Sequence, residues 1–460
     1  MPLQSFMHSS KNNLPAVLLG ALFLLIPALY NGYPMVNPDT ATYLASGFLL
    51  ETPFDRPITY GLMLRLLSLN GFSLWLVVFT QAVIVSGLVV AVVRHATGGR
   101  PHLLQAVVVL LLLSVGSGLS WVVCQVGPDV FTPVAFLTML LLLLYKGGNG
   151  GRVGLHFLFF VAVAVHMSHP VLMAGTLVLL YLCRSFFAAV AHPKVKTTIV
   201  VLFVLSVAGL GIMGSALSKS RHVFLMGSLV EKGVARQYLD NQCGTHNYRL
   251  CAFRDQLPDN ASDFIWLPGS PLYKAGDWAG SKTEFNAITH DIFTTPKYLL
   301  LFGRAAVEAI LRQLVMFHIG DGNEAFSRQS VLTGRIGTYL PGSEASFLAS
   351  RQNRGTLLSA FVVPNLMFNI IAIVSLIMLV IMTIGRKIAL PVRFILFVFG
   401  IGILFNAADC AVLSCVLGRY GCRMMWLLPF CTLLVYLARC GKRGLPPTGE
   451  HIGDVHSANR

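Results

Sequence analysis

Long apolar runs separated by short polar connections dominate the chain, and two extended polar stretches, 31–72 and 217–357, interrupt them. About 20 apolar residues make one bilayer crossing, and ten segments approach that length: 14–30, 73–93, 103–121, 129–145, 153–167, 170–187, 197–216, 358–384, 391–416 and 423–439. The pattern predicts an all-α polytopic membrane protein with about ten transmembrane helices. Segment 298–318, YLLLFGRAAVEAILRQLVMFH, reads differently, because Arg304, Glu308 and Arg312 recur at four-residue spacing and share one helix face. It is expected to lie at the interface as an amphipathic helix; a crossing there would invert everything after it.

The division that follows is an N-terminal membrane module (1–216) with a first external loop (31–72), an external segment (217–357), C-terminal membrane helices (358–443) and a cytoplasmic tail (444–460). The external segment has turn-like runs such as LPDNASD and WLPGSP and a helical pattern near 222–240. MPLQSFMHSSKNN leads into the first apolar run without a small-residue cleavage site, so a retained first span is expected and not a signal peptide.

Charge agrees with the count. With the N-terminus inside, the internal loops hold Arg94 and Arg100, Lys146 and Arg152, Arg184, Lys194 and Lys196, and Arg386 and Lys387, while the C-terminal end adds Arg439, Lys442 and Arg443. Every internal loop is basic, as topology control requires. The loop 31–72, the turns near 125–128, 166–169 and 418–423, and the segment 217–357 then share the outer face. The composition, 55% hydrophobic and 12% charged with a mean hydropathy of +0.70, excludes an ordinary soluble domain. The net charge of +15 is spread over short loops and forms no basic, aromatic-interleaved patch, so no nucleic-acid partner is expected.

The candidate chemistry starts in the first loop. NPDTATYLASGFLLETPFDRPITY carries Asp39, Glu51, Asp55 and Arg56 between two apolar spans. Ionised groups are costly against lipid, so they sit at the surface or in a watery cavity and tend to mark function. Pro38-Asp39, Tyr43-Leu44, then Arg56-Pro57 and Tyr60 before the next span resemble the first external loop of GT-C glycosyltransferases, integral membrane enzymes that use polyprenyl-phosphate-linked sugars. GRYGCR, with Arg419, Tyr420 and Arg423, resembles the Arg-Tyr before the final helices of many of them.

The resemblance implies a bacterial inner-membrane enzyme with its site facing the periplasm or exterior, a polyprenyl-phosphate sugar as donor and a lipid-linked or cell-surface glycan as acceptor. It also implies that Asp39 is the catalytic base. A helix N-cap is the other role open to Asp39. Sugar transfer needs a carboxylate to take the acceptor's proton and cationic groups for the departing phosphate. Arg56, held away from helix by Pro57, suits a phosphate as a planar donor, or pairs with Asp55 or Glu51. Tyr43 and Tyr60 are candidate substrate contacts or interface anchors.

Asp129, at the outer start of span four, is either a second catalytic acid or a partner for the helix dipole. His166 and His169, spaced i,i+3, are either a ligand, phosphate or metal pair, or locally satisfied. Arg419 and Tyr420 are candidate phosphate contacts, since arginines at an outer turn run against the inside bias. Asp409, two to three helical turns inside span nine, needs a partner, for which Arg419 and Asn406 are candidates.

Of nine cysteines, seven lie in or beside apolar spans; Cys243 and Cys251 in CGTHNYRLC are spaced for a disulfide or, with His246, part of a metal site. Composition leaves any divalent metal undetermined. The rival readings are an O-antigen polymerase or ligase relying on Arg236, Arg249 or His246, and a transporter or flippase, against which stand the lack of a repeated half and of a phosphate-cradling Gly-rich loop.

Overall fold

Each of the ten apolar segments contains helix in the computed structural model, which describes residues 13–98, 103–144, 148–187, 194–384 and 388–443. Six helical stretches are long and apolar enough to cross a membrane: Leu14–Asn31, Leu74–Ala96, Val195–Glu231, Leu357–Thr383, Leu390–Leu413 and Gly418–Cys440. The other four, Leu103–Gly116, Pro128–Leu144, Asn149–Ala164 and His169–Leu182, are shorter apolar helices. At 1.5 Å per residue they reach about 21–26 Å, less than the ~30 Å of a hydrocarbon core. In two of the four the apolar run extends past the helix end, so the sequence overstates their length. The run 103–121 breaks at Ser117–Gly118 into Leu103–Gly116 and Leu119–Cys124, and 170–187 gives way after Leu182 to a 3-10 turn, Arg184–Phe187. Arg100, Lys146, Arg386 and Lys387, the side chains of Lys442 and Arg443, and segments 1–12 and 444–460 lie outside the described residues.

All regular elements among the described residues are helices, with one isolated bridge between Met35 and Gln125. The large apolar core joins the membrane helices, while the outer face of Leu357–Thr383 keeps Val362, Ile373 and Ile377 more than half exposed. Such a continuous uncovered apolar face is suited to lipid. Helix Pro296–Val315 packs on Leu390–Leu413 and keeps Arg304 and Glu308 paired on its exposed side, as the four-residue spacing predicts.

Segment 217–357 does not fold as one unit. Residues from Val223 to Ala306 form a second core. The later part joins the main core and wraps the first loop: Tyr339 stacks on Phe48, Phe347 packs on Tyr33, and Gln352 bonds the backbone of Val36. The two regions are joined by Val195–Glu231, a helix of 37 residues. That is about 55 Å, whereas about 20 residues suffice to cross. Its last four turns therefore project beyond Ala216 into the second core and end at Gly233, whose φ of +69° suits only glycine without strain.

Cys243 and Cys251 form a disulfide that ties helix Val234–Gln242 to the 3-10 turn Arg249–Gln256. Closing so short a loop contributes about 2.5 kcal/mol by the chain-entropy relation. The bond is expected in the purified protein, and the double change Cys243→Ser, Cys251→Ser is expected to lower thermal stability by that amount. Thermal unfolding, with mass spectrometry of unreduced peptides, checks both; free thiols at both positions would refute the bond.

Candidate active site

The first loop folds as two helices, Pro38–Leu49 and Thr59–Leu67, that cross where Gly47 meets Gly61. A Cβ on Gly47 would run into the Gly61 carbonyl, so only glycine permits this approach. Asn37, not Asp39, caps the first helix: its side chain accepts from Thr40 N–H and the Thr40 hydroxyl accepts from Asn37 N–H. Asp39 sits in the first turn with its carboxylate free for other partners.

Those partners come from both ends of the chain. Asp39 Oδ1 lies 3.0 Å from Arg56 Nη1, and its Oδ2 accepts from Arg419 Nη2 at 3.2 Å. Arg56 also donates through Nε to Asp55 Oδ2 at 2.9 Å and lies over the Tyr43 ring. Pairing of Arg56 with Asp55 was one of two expected roles, and it coexists with the contact to Asp39. Arg419 is held from behind by Asp321, whose Oδ2 accepts from Arg419 N–H at 3.0 Å while Oδ1 meets His318 Nε2 at 2.7 Å. The close packing needs glycine again, since a Cβ on Gly418 would strike the His318 ring.

Burial raises the Asp39 carboxyl, but the Arg56 and Arg419 guanidiniums outweigh it and hold the group well below the usual carboxylate range. Burial likewise opposes and His318 and Arg419 outweigh it at Asp321, which is lowered, while the hydrogen bond to Asp321 raises His318.

The assembly opens on a cavity of about 930 Å³. Asp39, Tyr43, Arg56, His166, Asp409, Arg419 and Tyr420 all line it, so seven candidates distant in sequence share one space. Its remaining wall is largely apolar, with Leu217, Leu225, Ile265, Leu413 and Leu417.

Three candidates do not line it. Asp129 accepts from Arg423 Nη1 at 2.7 Å, and fully buried Arg423 also donates to Asn406 Oδ1 at 2.9 Å. Asp129 is thus paired inside a buried clamp and does not line the cavity. Tyr60 is fully buried, donates to Gln81 Oε1 and packs edge-on against Tyr43. It supports Tyr43 and does not line the cavity. His169 is buried with both nitrogens engaged, Nδ1 donating to the Ala162 carbonyl and Nε2 accepting from the Thr132 hydroxyl, each at 2.7 Å. His166 stacks on it and faces the cavity alone. Among the described residues no group of three or more His, Cys, Asp or Glu side chains is arranged for a metal ion.

Asp409 departs from expectation in another way. Asn406 bonds Tyr420 and Arg423, Arg419 bonds Asp39, and neither Asp409 oxygen has a hydrogen-bond partner among the described residues. Ser168 stands beside it, but its hydroxyl is engaged with His166 Nδ1. Sequence reasoning missed Asp321. Its signal was the polar turn HIGDGNE directly after an amphipathic helix.

Two guanidiniums converging on one carboxylate at the edge of a partly apolar cavity can exchange that carboxylate for a phosphate and release it as a base. No family model, no curated protein and no solved structure matches the chain.

Proposed function

We propose that the chain is a membrane glycosyltransferase of GT-C-like design, with about ten crossings, that moves a sugar from a polyprenyl-phosphate donor to a lipid-linked or cell-surface glycan. The observation that carries this reading is the Arg56–Asp39–Arg419 arrangement in the cavity. An acceptor hydroxyl attacks the anomeric carbon as the bond from that carbon to the phosphate oxygen breaks, and the electron pair leaves on the phosphate. Arg56 and Arg419 turn from Asp39 to the phosphate and stabilise its charge. Asp39, relieved of both cations, takes the hydroxyl proton. Val171, Leu217 and Leu413 provide apolar wall for the prenyl chain.

The site faces the periplasm of a bacterial inner membrane on this reading, and a disulfide between Cys243 and Cys251 suits an oxidising compartment. The residues that would favour a polymerase or ligase are tied locally, away from the cavity: Arg236 to Leu257 O, Arg249 to Glu284, and His246 stacked on Tyr248.

The test is transfer of label from polyprenyl-phosphate sugars to cell-envelope glycolipids by the purified protein in lipid discs. Wild type is expected to turn over, and Arg56→Lys to weaken donor binding about tenfold, because it keeps the charge but loses the planar fork. Movement of intact donor across the bilayer without bond cleavage would replace the enzyme reading with a transporter.

A further inference from the structure

Part of the cavity wall is aromatic and unusually open. Trp266 is 42% exposed and Phe54 48% exposed, whereas their neighbours Phe264 and Phe285 are fully buried. Phe54, Phe224 and Trp266 come from three separate elements, the first loop, the long helix Val195–Glu231 and the short helix Ala261–Trp266, and all three line the cavity. Trp278 stands among them as a hub: its ring lies 4.8 Å from Phe54, 5.7 Å from Phe224 and 5.5 Å from Trp266. Edge and tilted ring contacts of this kind fix orientation. The surface is thus ordered before anything binds, and ordered apolar area facing a cavity is where a ligand's apolar face docks.

We infer that this aromatic wall is the subsite for a saccharide ring of the acceptor, which rests on the transferase reading for the word acceptor but not for the binding. Height along the long helix discriminates against the prenyl chain. Lys219 and Arg221 follow the apolar run that ends near Ala216, and Phe224 lies about 12 Å further along the axis. The rings therefore stand in the aqueous layer, above the depth a hydrocarbon chain occupies. Chemistry agrees, because Arg221, Ser262 and Glu324 line the same cavity and offer donors and acceptors that a prenyl chain would only desolvate. A pyranose has an apolar C–H face for the rings and a hydroxyl rim for those groups.

Titration calorimetry of the full-length protein in lipid discs tests this, with two probes: a panel of di- to tetrasaccharides of glucose, galactose, mannose, rhamnose and the N-acetylated hexosamines, and farnesyl phosphate. At least one saccharide is expected to bind. Trp266→Ala should weaken it at least tenfold and Trp266→Phe should restore most of the affinity, while farnesyl phosphate responds to Arg56→Lys and not to Trp266→Ala. No binding by any saccharide, saccharide binding indifferent to Trp266→Ala, or loss of farnesyl phosphate binding in Trp266→Ala would each overturn the inference. Saccharide binding without turnover would leave the subsite standing and remove the transferase instead.

Discussion

Asp39→Asn is expected to reach the membrane folded, bind donor, and turn over about 10²–10⁴-fold more slowly than wild type, the usual range for losing a general base. Folding should survive because Asn37 supplies the helix cap and Asn at position 39 still accepts a hydrogen bond through its carbonyl. Donor binding should be retained or tighten slightly, since Arg56 and Arg419 no longer share their charge with Asp39. Label-transfer rates and donor titrations separate the two effects, and well-folded Asp39→Asn protein with more than about a tenth of wild-type turnover would remove Asp39 from the mechanism. The pH dependence follows the same geometry. With its folded-state pKa below the ordinary value of about 3.9, Asp39 contributes stability above that pH and loses it as pH falls through the lower value. The free protein should therefore show no Asp39 titration in kcat/KM between pH 7 and about 4.

The largest loss of stability is expected at the buried clamp. Arg423→Ala leaves Asp129 as an unpaired buried charge, and removal of one partner from such a pair costs about 3–5 kcal/mol. Asp129→Asn should be similarly damaging, because Arg423 is fully buried and has no second carboxylate in contact. The double change Asp129→Leu, Arg423→Met removes both charges and should be milder than either single change, a non-additivity that thermal unfolding in detergent measures directly. A stable, folded Asp129→Asn protein that has lost turnover would return Asp129 to the list of catalytic acids.

What the sequence made legible was whatever period and charge record. The apolar runs located the helices, the i,i+4 charges placed Arg304 and Glu308 on one exposed face, and the spacing of Cys243 and Cys251 announced their bond. Asp39, Arg56 and Arg419 were each singled out by local oddity, a carboxylate or guanidinium where lipid contact forbids one. Their meeting was not legible, since 380 positions separate Asp39 from Arg419. The candidates that lie off the cavity share a physical cause. Asp129, Tyr60 and His169 are polar groups whose partners, Arg423, Gln81 and Thr132, lie on other helices, and a sequence shows a polar residue without showing what satisfies it. Asp321 was hidden for the opposite reason. It lies in a polar turn where a charged side chain is unremarkable, and only the fold brings it behind the backbone of Arg419.

The long helix Val195–Glu231 makes the protein a lever. One uninterrupted rod passes from the bilayer into the second core; no proline breaks it beyond Gly214, and its Gly227 packs against Ile265. The stretch beyond Ala216 is about 22 Å long, so a tilt of only about 10° within the bilayer would swing its far end by about 4 Å, carrying Phe224 and Leu225 with it. A change in membrane thickness that tilted the helix would thus be transmitted to the cavity wall, and Trp278, which touches both Phe224 and Phe54, would carry it to the first loop.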